Sequence, residues 1–232
     1  MSEEAVSSVG SEAPAASAFR PAGGPTPWVY SFSAALYGGV ARLWNRLELR
    51  NPELLPESGP VLVLPNHASF LDPPLVGCFQ RREFQFLARD NLLRIPLLGR
   101  LLRAYNTHPI RREGVDREAI RLSVEILRAG WPLVVFPEGT RSPDGRARPP
   151  LGGFGMIVDR VPGVSCMPVK VEGTGRALGR GMIFLRPAKI TITNGAPFTI
   201  EPRGEGETRR AFYDRCAARV EAAWRELGVF DP

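Results

Sequence analysis

The sequence predicts an α/β domain, a largely parallel central sheet flanked by helices. Two runs, Val61-Leu62-Val63-Leu64 and Leu133-Val134-Val135-Phe136, are short, apolar and rich in branched side chains, as strands buried on both faces are. Each runs into a polar loop that begins with proline, Pro65 or Pro137. Helical stretches with caps and glycine stops lie between and after them, and strands interleaved with helices make a layered domain. At 232 residues the chain is long enough for one large domain with a sizeable core.

Residues 1–27 are rich in Ala, Ser, Gly and Pro and carry almost no large apolar groups, which predicts a disordered tail. The acidic start, Met1-Ser2-Glu3-Glu4, is unlike the basic start of a secretory signal. Thr26-Pro27 is a cap and first-turn pair, and a helix is expected over 28–47. Val29, Phe32, Leu36, Val40, Leu43 and Leu47 recur on one of its faces. Its uncharged part, Trp28 to Ala41, is 14 residues or ~21 Å long, too short for a bilayer core of roughly 30 Å. Two readings stay open: a helix packed on its own domain, or an amphipathic helix in the membrane interface with Arg42, Arg46 and Arg50 at the headgroups.

Residues 48–232 read as a single domain. After the first buried strand, Pro73 to Gln80 is expected to be a short helix and Glu83 to Ala88 a strand. Ile95 to Ala104 reads as an apolar helix, either facing a membrane or covering the sheet. A short strand at His108-Pro109-Ile110 ends in Arg111-Arg112. Asp116 is placed to cap a helix that Gly130 closes. Val164–Val171 and Lys189–Thr193 are expected strands. Arg209 to Leu227 is a closing helix that buries Phe212, Cys216, Val220, Trp224 and Leu227.

The chemistry gathers at the two strand-ending loops. His67 follows the first buried strand, and Asp72 comes five residues later. That spacing does not suit one helical face, and Pro73 biases Asp72 away from helical angles. The segment therefore reads as a turn that folds the carboxylate onto the imidazole, with Asp72 also capping the next helix. A carboxylate on one ring nitrogen fixes the tautomer and makes the other nitrogen a better base. For an isolated His and Asp, a plain cap and a polar strand end would explain as much. The second loop, Pro137-Glu138-Gly139-Thr140-Arg141-Ser142, tips the balance. Gly139 permits close backbone approach, and successive amides with the Thr140 and Ser142 hydroxyls form an anion-binding concavity. Arg141 adds a forked charge suited to phosphate.

Composition narrows the partners. A net charge of +6 implies an anionic partner: nucleic acid, a phosphorylated substrate or an acidic membrane surface. No aromatic-interleaved basic platform or recognition helix is legible, so nucleic acid is not expected. The three cysteines are far apart and form no CxxC pair, and only two histidines are present. Neither a disulfide framework nor a metal site is therefore expected.

Together, these stretches resemble the glycerolipid acyltransferases, specifically the 1-acylglycerol-3-phosphate acyltransferases. Asn66 to Asp72 matches the NHxxxxD signature, and Phe136 to Ser142 matches FPEGTRS, in the same order and at a similar separation. Two seven-residue signatures together are far more specific than either alone. His108 to Arg112 looks like the family's strand ending in arginine, and Cys166 to Thr174 like its fourth block. The resemblance spans about Leu47 to Pro197. Two departures stand out: Leu151-Gly152-Gly153-Phe154 lacks an expected cation, and Asn106 replaces a usual glycine.

The resemblance implies a mixed, glycerol-3-phosphate acyltransferase-like sheet and transfer of a fatty acyl group from a thioester to lysophosphatidic acid, giving phosphatidic acid. It implies His67 and Asp72 as catalytic residues. It implies Arg112, Glu138, Gly139, Thr140 and Arg141 as substrate-binding residues. No metal or cofactor is implied; acyl-CoA or acyl carrier protein serves as co-substrate. Ser69 is expected to bond the turn rather than act as nucleophile, since no GxSxG elbow is present. An anionic membrane is the expected surface, with peripheral or monotopic attachment at its cytoplasmic face. Alternatives are an enzyme acting on lyso-ornithine lipid or another lysophospholipid, and a non-catalytic basic lipid-binding protein of the same fold.

Overall fold

The computed structural model describes residues 27–110 and 117–231. The expected disordered tail (apart from Pro27), the arginines Arg111 and Arg112, and the expected cap Asp116 lie outside the described residues. The strands are β1 (Glu48–Arg50), β2 (Val61–Pro65), β3 (Gln85–Arg89), β4 (Thr107–Ile110), β5 (Pro132–Val134), β6 (Ser165–Glu172) and β7 (Thr191–Asn194). The helices are α1 (Pro27–Asn45), α2 (Asp72–Val76), α3 (Asp90–Leu93), α4 (Pro96–Ala104), α5 (Arg117–Arg128), α6 (Gly155–Val158), α7 (Thr174–Leu178) and α8 (Arg209–Glu226).

All seven strands form one sheet in the order β1-β7-β6-β2-β5-β3-β4. Every pairing is parallel except β6 with β7, so the sheet is mixed and largely parallel, as expected. β2 lies between β5 and β6, with Val61 beside Pro132 and Ser165. All five of its residues are buried, which explains its unbroken apolar run. Side chains alternate along a strand. Val61 and Val63 therefore pack with Tyr30, Val76, Phe86 and Met167 on one face. Leu62 and Leu64 pack with Leu127, Phe212, Cys216 and Trp224 on the other. The Trp224 indole donates to the Leu64 carbonyl at 3.0 Å, tying α8 to the end of β2.

α1 turns most of its apolar stripe away from the domain, the arrangement an interfacial helix requires and a helix packed by that stripe does not. Phe32, Leu36, Val40 and Leu43 point outward, with Leu43 90% exposed. The buried side carries Tyr30, Ser33, Ala34, Ala41 and Asn45. Tyr30 stacks on Tyr105 at 4.8 Å, and its hydroxyl accepts from the Phe84 amide. The close packing here needs small residues: a Cβ at Gly77 would lie 2.9 Å from the Tyr30 hydroxyl. Arg50 pairs with Glu48 at 2.9 Å, and the Arg42 guanidinium lies 3.6 Å over the Phe79 ring. Among the described residues, no helix is long and apolar enough to cross a membrane.

Asn106, standing where glycine is usual in the family resembled, has φ +48°. Asparagine is one of the few side chains that tolerates this left-handed backbone. Its amide donates to Glu83 at 3.2 Å.

Candidate active site

The two strand-ending loops meet at the carboxyl edge of the sheet, beside a cavity of about 540 Å³. Asn66 begins the first loop and is 5% exposed. Its side chain accepts from the Val171 amide at 2.7 Å and donates to the Val171 carbonyl at 2.9 Å. That pair of bonds staples the end of β2 to β6. His67 is then held by its backbone on both sides. Its amide donates to Glu138 Oε1 at 2.8 Å, and its carbonyl accepts from the Ser142 amide at 2.8 Å.

Asp72 closes the turn. Its Oδ2 lies 2.7 Å from His67 Nδ1 and accepts from the Ala68 and Ser69 amides, also at 2.7 Å each. Asp72 is wholly buried, while the His67 side chain is 15% exposed. A carboxylate facing Nδ1 favours the tautomer with its proton there, leaving the Nε2 lone pair free. The Phe136 ring stacks on the imidazole with centroids 4.0 Å apart and fixes its plane. Asp72 does not cap the following helix. It is that helix's first residue, and its bonds run back into the turn rather than forward. The tight turn places the carboxylate beside the two preceding amides. Ser69 is wholly buried, donates to the Leu178 carbonyl at 2.5 Å and accepts from the Leu71 amide.

The second loop departs from the expected anion concavity. The Gly139 amide is turned onto the Phe136 carbonyl, with Gly139 at φ +70°. The Ser142 amide is spent on His67, and its hydroxyl donates to Asp144 at 2.8 Å. Glu138, expected to bind substrate, is 4% exposed, and its oxygens accept from the His67 and Arg148 amides. It is a bracket that locks one loop to the other.

Burial raises the Glu138 pKa to about 7, against the two amides that favour its charged form. A carboxyl whose pKa rises on folding binds its proton more tightly in the folded chain. Its contribution to stability is therefore greatest below its ordinary value of 4.5 and declines as pH rises through about 7. Glu138→Gln is expected to remove that decline, read by denaturant titration at about pH 5 and about pH 8. An unchanged difference between the two pH values would contradict this assignment.

Gly139, Thr140 and Arg141 do line the cavity, as does His67. The Arg141 guanidinium lies 3.5 Å over the Phe70 ring. Burial and the nearby Arg180 charge lower its pKa. Arg180 and Arg89 also line the cavity and were not singled out from sequence. Arg89 ends β3, and the carboxyl end of a parallel strand was the signal available. Arg180 lies between two glycines in a loop with no periodic pattern, and only the folded chain brings it here. Among the described residues, neither Arg141 nor Arg180 has an ion-pair partner, so two positive charges converge on open space.

A second cavity of about 500 Å³ adjoins the first. Phe70, Leu87, Ala88, Leu92, Val134 and Phe136 line both. Tyr37, Ile95, Leu101, Leu102 and Tyr105 complete walls that are almost entirely apolar. The site thus joins a cavity lined by His67 and arginines to an almost wholly apolar one. His108 stays outside it, bonded to Gln85 at 2.8 Å with its pKa lowered to about 4 by burial. Among the described residues, no group of three or more His, Cys, Asp or Glu stands together as metal ligands.

The acyltransferase family model matches residues 46–172. A chloroplastic 1-acyl-sn-glycerol-3-phosphate acyltransferase of Arabidopsis thaliana is 29% identical over 156 residues, covering 61% of this chain and 42% of that protein. One from Cocos nucifera is 31% identical over 183 residues, covering 74% and 58%. The crystal structure of the 1-acyl-sn-glycerophosphate acyltransferase PlsC of Thermotoga maritima aligns with a TM-score of 0.63 at 28% identity, covering 83% of this chain and 78% of that one. The chain spans less than half the length of the Arabidopsis, Brassica and Chlamydomonas relatives.

Proposed function

The chain belongs to the acyltransferase family, and from that premise we propose that it acylates the sn-2 hydroxyl of 1-acylglycerol-3-phosphate to give phosphatidic acid. One observation carries the reading. His67, oriented by Asp72, lines a cavity with converging arginines, and that cavity adjoins an apolar one. A phosphorylated lipid alcohol and a fatty acyl chain need those two environments within reach of one base.

His67 Nε2 takes the proton of the acceptor hydroxyl as its oxygen attacks the thioester carbonyl. Asp72 stabilises the imidazolium that results. The tetrahedral intermediate collapses and expels the thiolate, which takes the proton back from His67. The acyl group has then moved from sulfur to oxygen, and the base is restored. Ser69 takes no part, because its hydroxyl is buried and committed to Leu178. The donor is acyl-CoA or acyl carrier protein.

Arg141 and Arg180 hold the acceptor's phosphate, and Arg112 is assigned to the same group by the family resemblance. Holding both reactants in place makes the attack effectively unimolecular. The adjoining apolar cavity takes the acyl chain. α1 presents its outward stripe to an anionic membrane, giving peripheral or monotopic attachment at the cytoplasmic face.

The test is a panel of acceptors with and without phosphate, including lyso-ornithine lipid and other lysophospholipids. Arg180→Ala is expected to raise KM for 1-acylglycerol-3-phosphate by about 10–100-fold, the worth of a charge-assisted hydrogen bond. KM for the acyl donor should barely move. Equal losses with acceptors lacking phosphate would remove Arg180 from the phosphate site.

A further inference from the structure

The loop joining α7 to β7 exposes more apolar surface than its setting explains. Ile183 is 86% exposed, Phe184 79% and Leu185 38%. Scattered apolar side chains are ordinary on a protein surface, but a contiguous cluster at a loop tip marks an interaction site. Arg176, Arg180 and Arg186 flank the cluster in the chain, and all are exposed. Residues 173–200 contain no aspartate or glutamate at all.

The loop is firmly mounted at its base. The Arg186 amide donates to the Ala177 carbonyl at 2.8 Å. The Met182 amide donates to the Gly179 carbonyl, and the Gly179 amide points at the Met182 sulfur. On one side, the Leu178 carbonyl accepts from Ser69, two residues beyond His67. On the other, the Asn45 side chain at the end of α1 donates to the carbonyls of Arg186 and Ala188. Leu43 and Trp44, immediately before Asn45, are themselves 90% and 53% exposed. The loop thus bridges the histidine turn and the end of the helix with the outward apolar stripe, and Arg180 in it lines the cavity.

We propose that residues 179–186 form an interfacial finger, in which Ile183 and Phe184 enter an anionic lipid surface while Arg176 and Arg186 meet its headgroups and Arg180 stays with the cavity. Apolar burial and attraction to anionic lipid act together in such elements. An acidic protein would answer Ile183 and Phe184 only if an apolar pocket shaped to them lay inside its acidic surface. A bilayer surface answers both the arginines and the apolar pair. The finger would set the cavity mouth at the headgroup level, where a lysolipid can enter without leaving the membrane. This rests on the lipid acceptor proposed above, but its test reads depth in the bilayer and not turnover.

The three native cysteines are all buried, so Phe184→Cys in the full chain takes an environment-sensitive fluorophore selectively. With phosphatidylglycerol vesicles, the label should shift to the blue and be quenched by spin-labelled lipid. Phosphatidylcholine vesicles should produce little change. A label that stays in water while the protein is bound to vesicles overturns the proposal. So does one that responds to acidic acyl carrier protein and not to vesicles. The double variant Ile183→Ser/Phe184→Ser should melt cooperatively and lose about tenfold or more in partition to anionic vesicles. It should also retain turnover on a short-chain acceptor dispersed as monomers. Unchanged partition would equally overturn the finger. If the label inserts but wild-type protein transfers no acyl group, the catalytic reading fails and the finger stands.

Discussion

His67→Ala is expected to lower kcat for acyl transfer by about 10²–10⁴-fold or more, the usual contribution of a positioned general base. Folding should survive. The His67 side chain is only 15% exposed, but the backbone bonds that hold the turn come from its amide and carbonyl, which alanine keeps. Asp72 would still accept from the Ala68 and Ser69 amides. Circular dichroism and a melting curve close to wild type, beside the lost turnover, would separate chemistry from stability. Retained activity in the purified variant would remove His67 from the mechanism.

Asp72 should behave differently, because one oxygen serves both chemistry and fold. Asp72→Ala strips three donors of their acceptor in a fully buried place. Breaking a buried hydrogen-bonded charge typically costs ~3–5 kcal/mol, so this variant should lose much of its stability along with its activity. Asp72→Asn distinguishes the two roles. One oxygen remains for the donors, so denaturant midpoints should fall less than for alanine, while the charge that steadies the imidazolium is gone. Turnover should still drop by ~10²-fold or more. An asparagine variant with full activity would mean that the carboxylate only shapes the turn.

Much of the fold was legible because its signals are local. The apolar run of β2 announces burial on both faces, and Phe212, Cys216, Val220 and Trp224 recur at helical spacing and are all buried. β1 was missed because Glu48-Leu49-Arg50 is short, charged and at the sheet edge, where pairing with β7 alone makes it a strand. The buried face of α1 was not legible for a related reason. Periodicity favours the largest apolar stripe, whereas the packed face uses Tyr30, Ala34 and Ala41 with Gly77 beneath. At the site, the His67 and Asp72 pairing followed from spacing and turn chemistry. The bonds of Glu138 and Ser142 to His67 did not, because they join backbone groups of a loop about 70 residues away. Arg180 was hidden because its neighbours in space are remote in the chain.

The most direct measurement follows phosphatidic acid and free thiol together when the full chain is given a labelled acyl thioester and 1-acylglycerol-3-phosphate. Direct transfer from a His67-activated hydroxyl requires one thiol released per phosphatidic acid formed, with no label left on the protein when the acceptor is withheld. Label trapped on the chain, or thiol release matched by free fatty acid instead of phosphatidic acid, would contradict it.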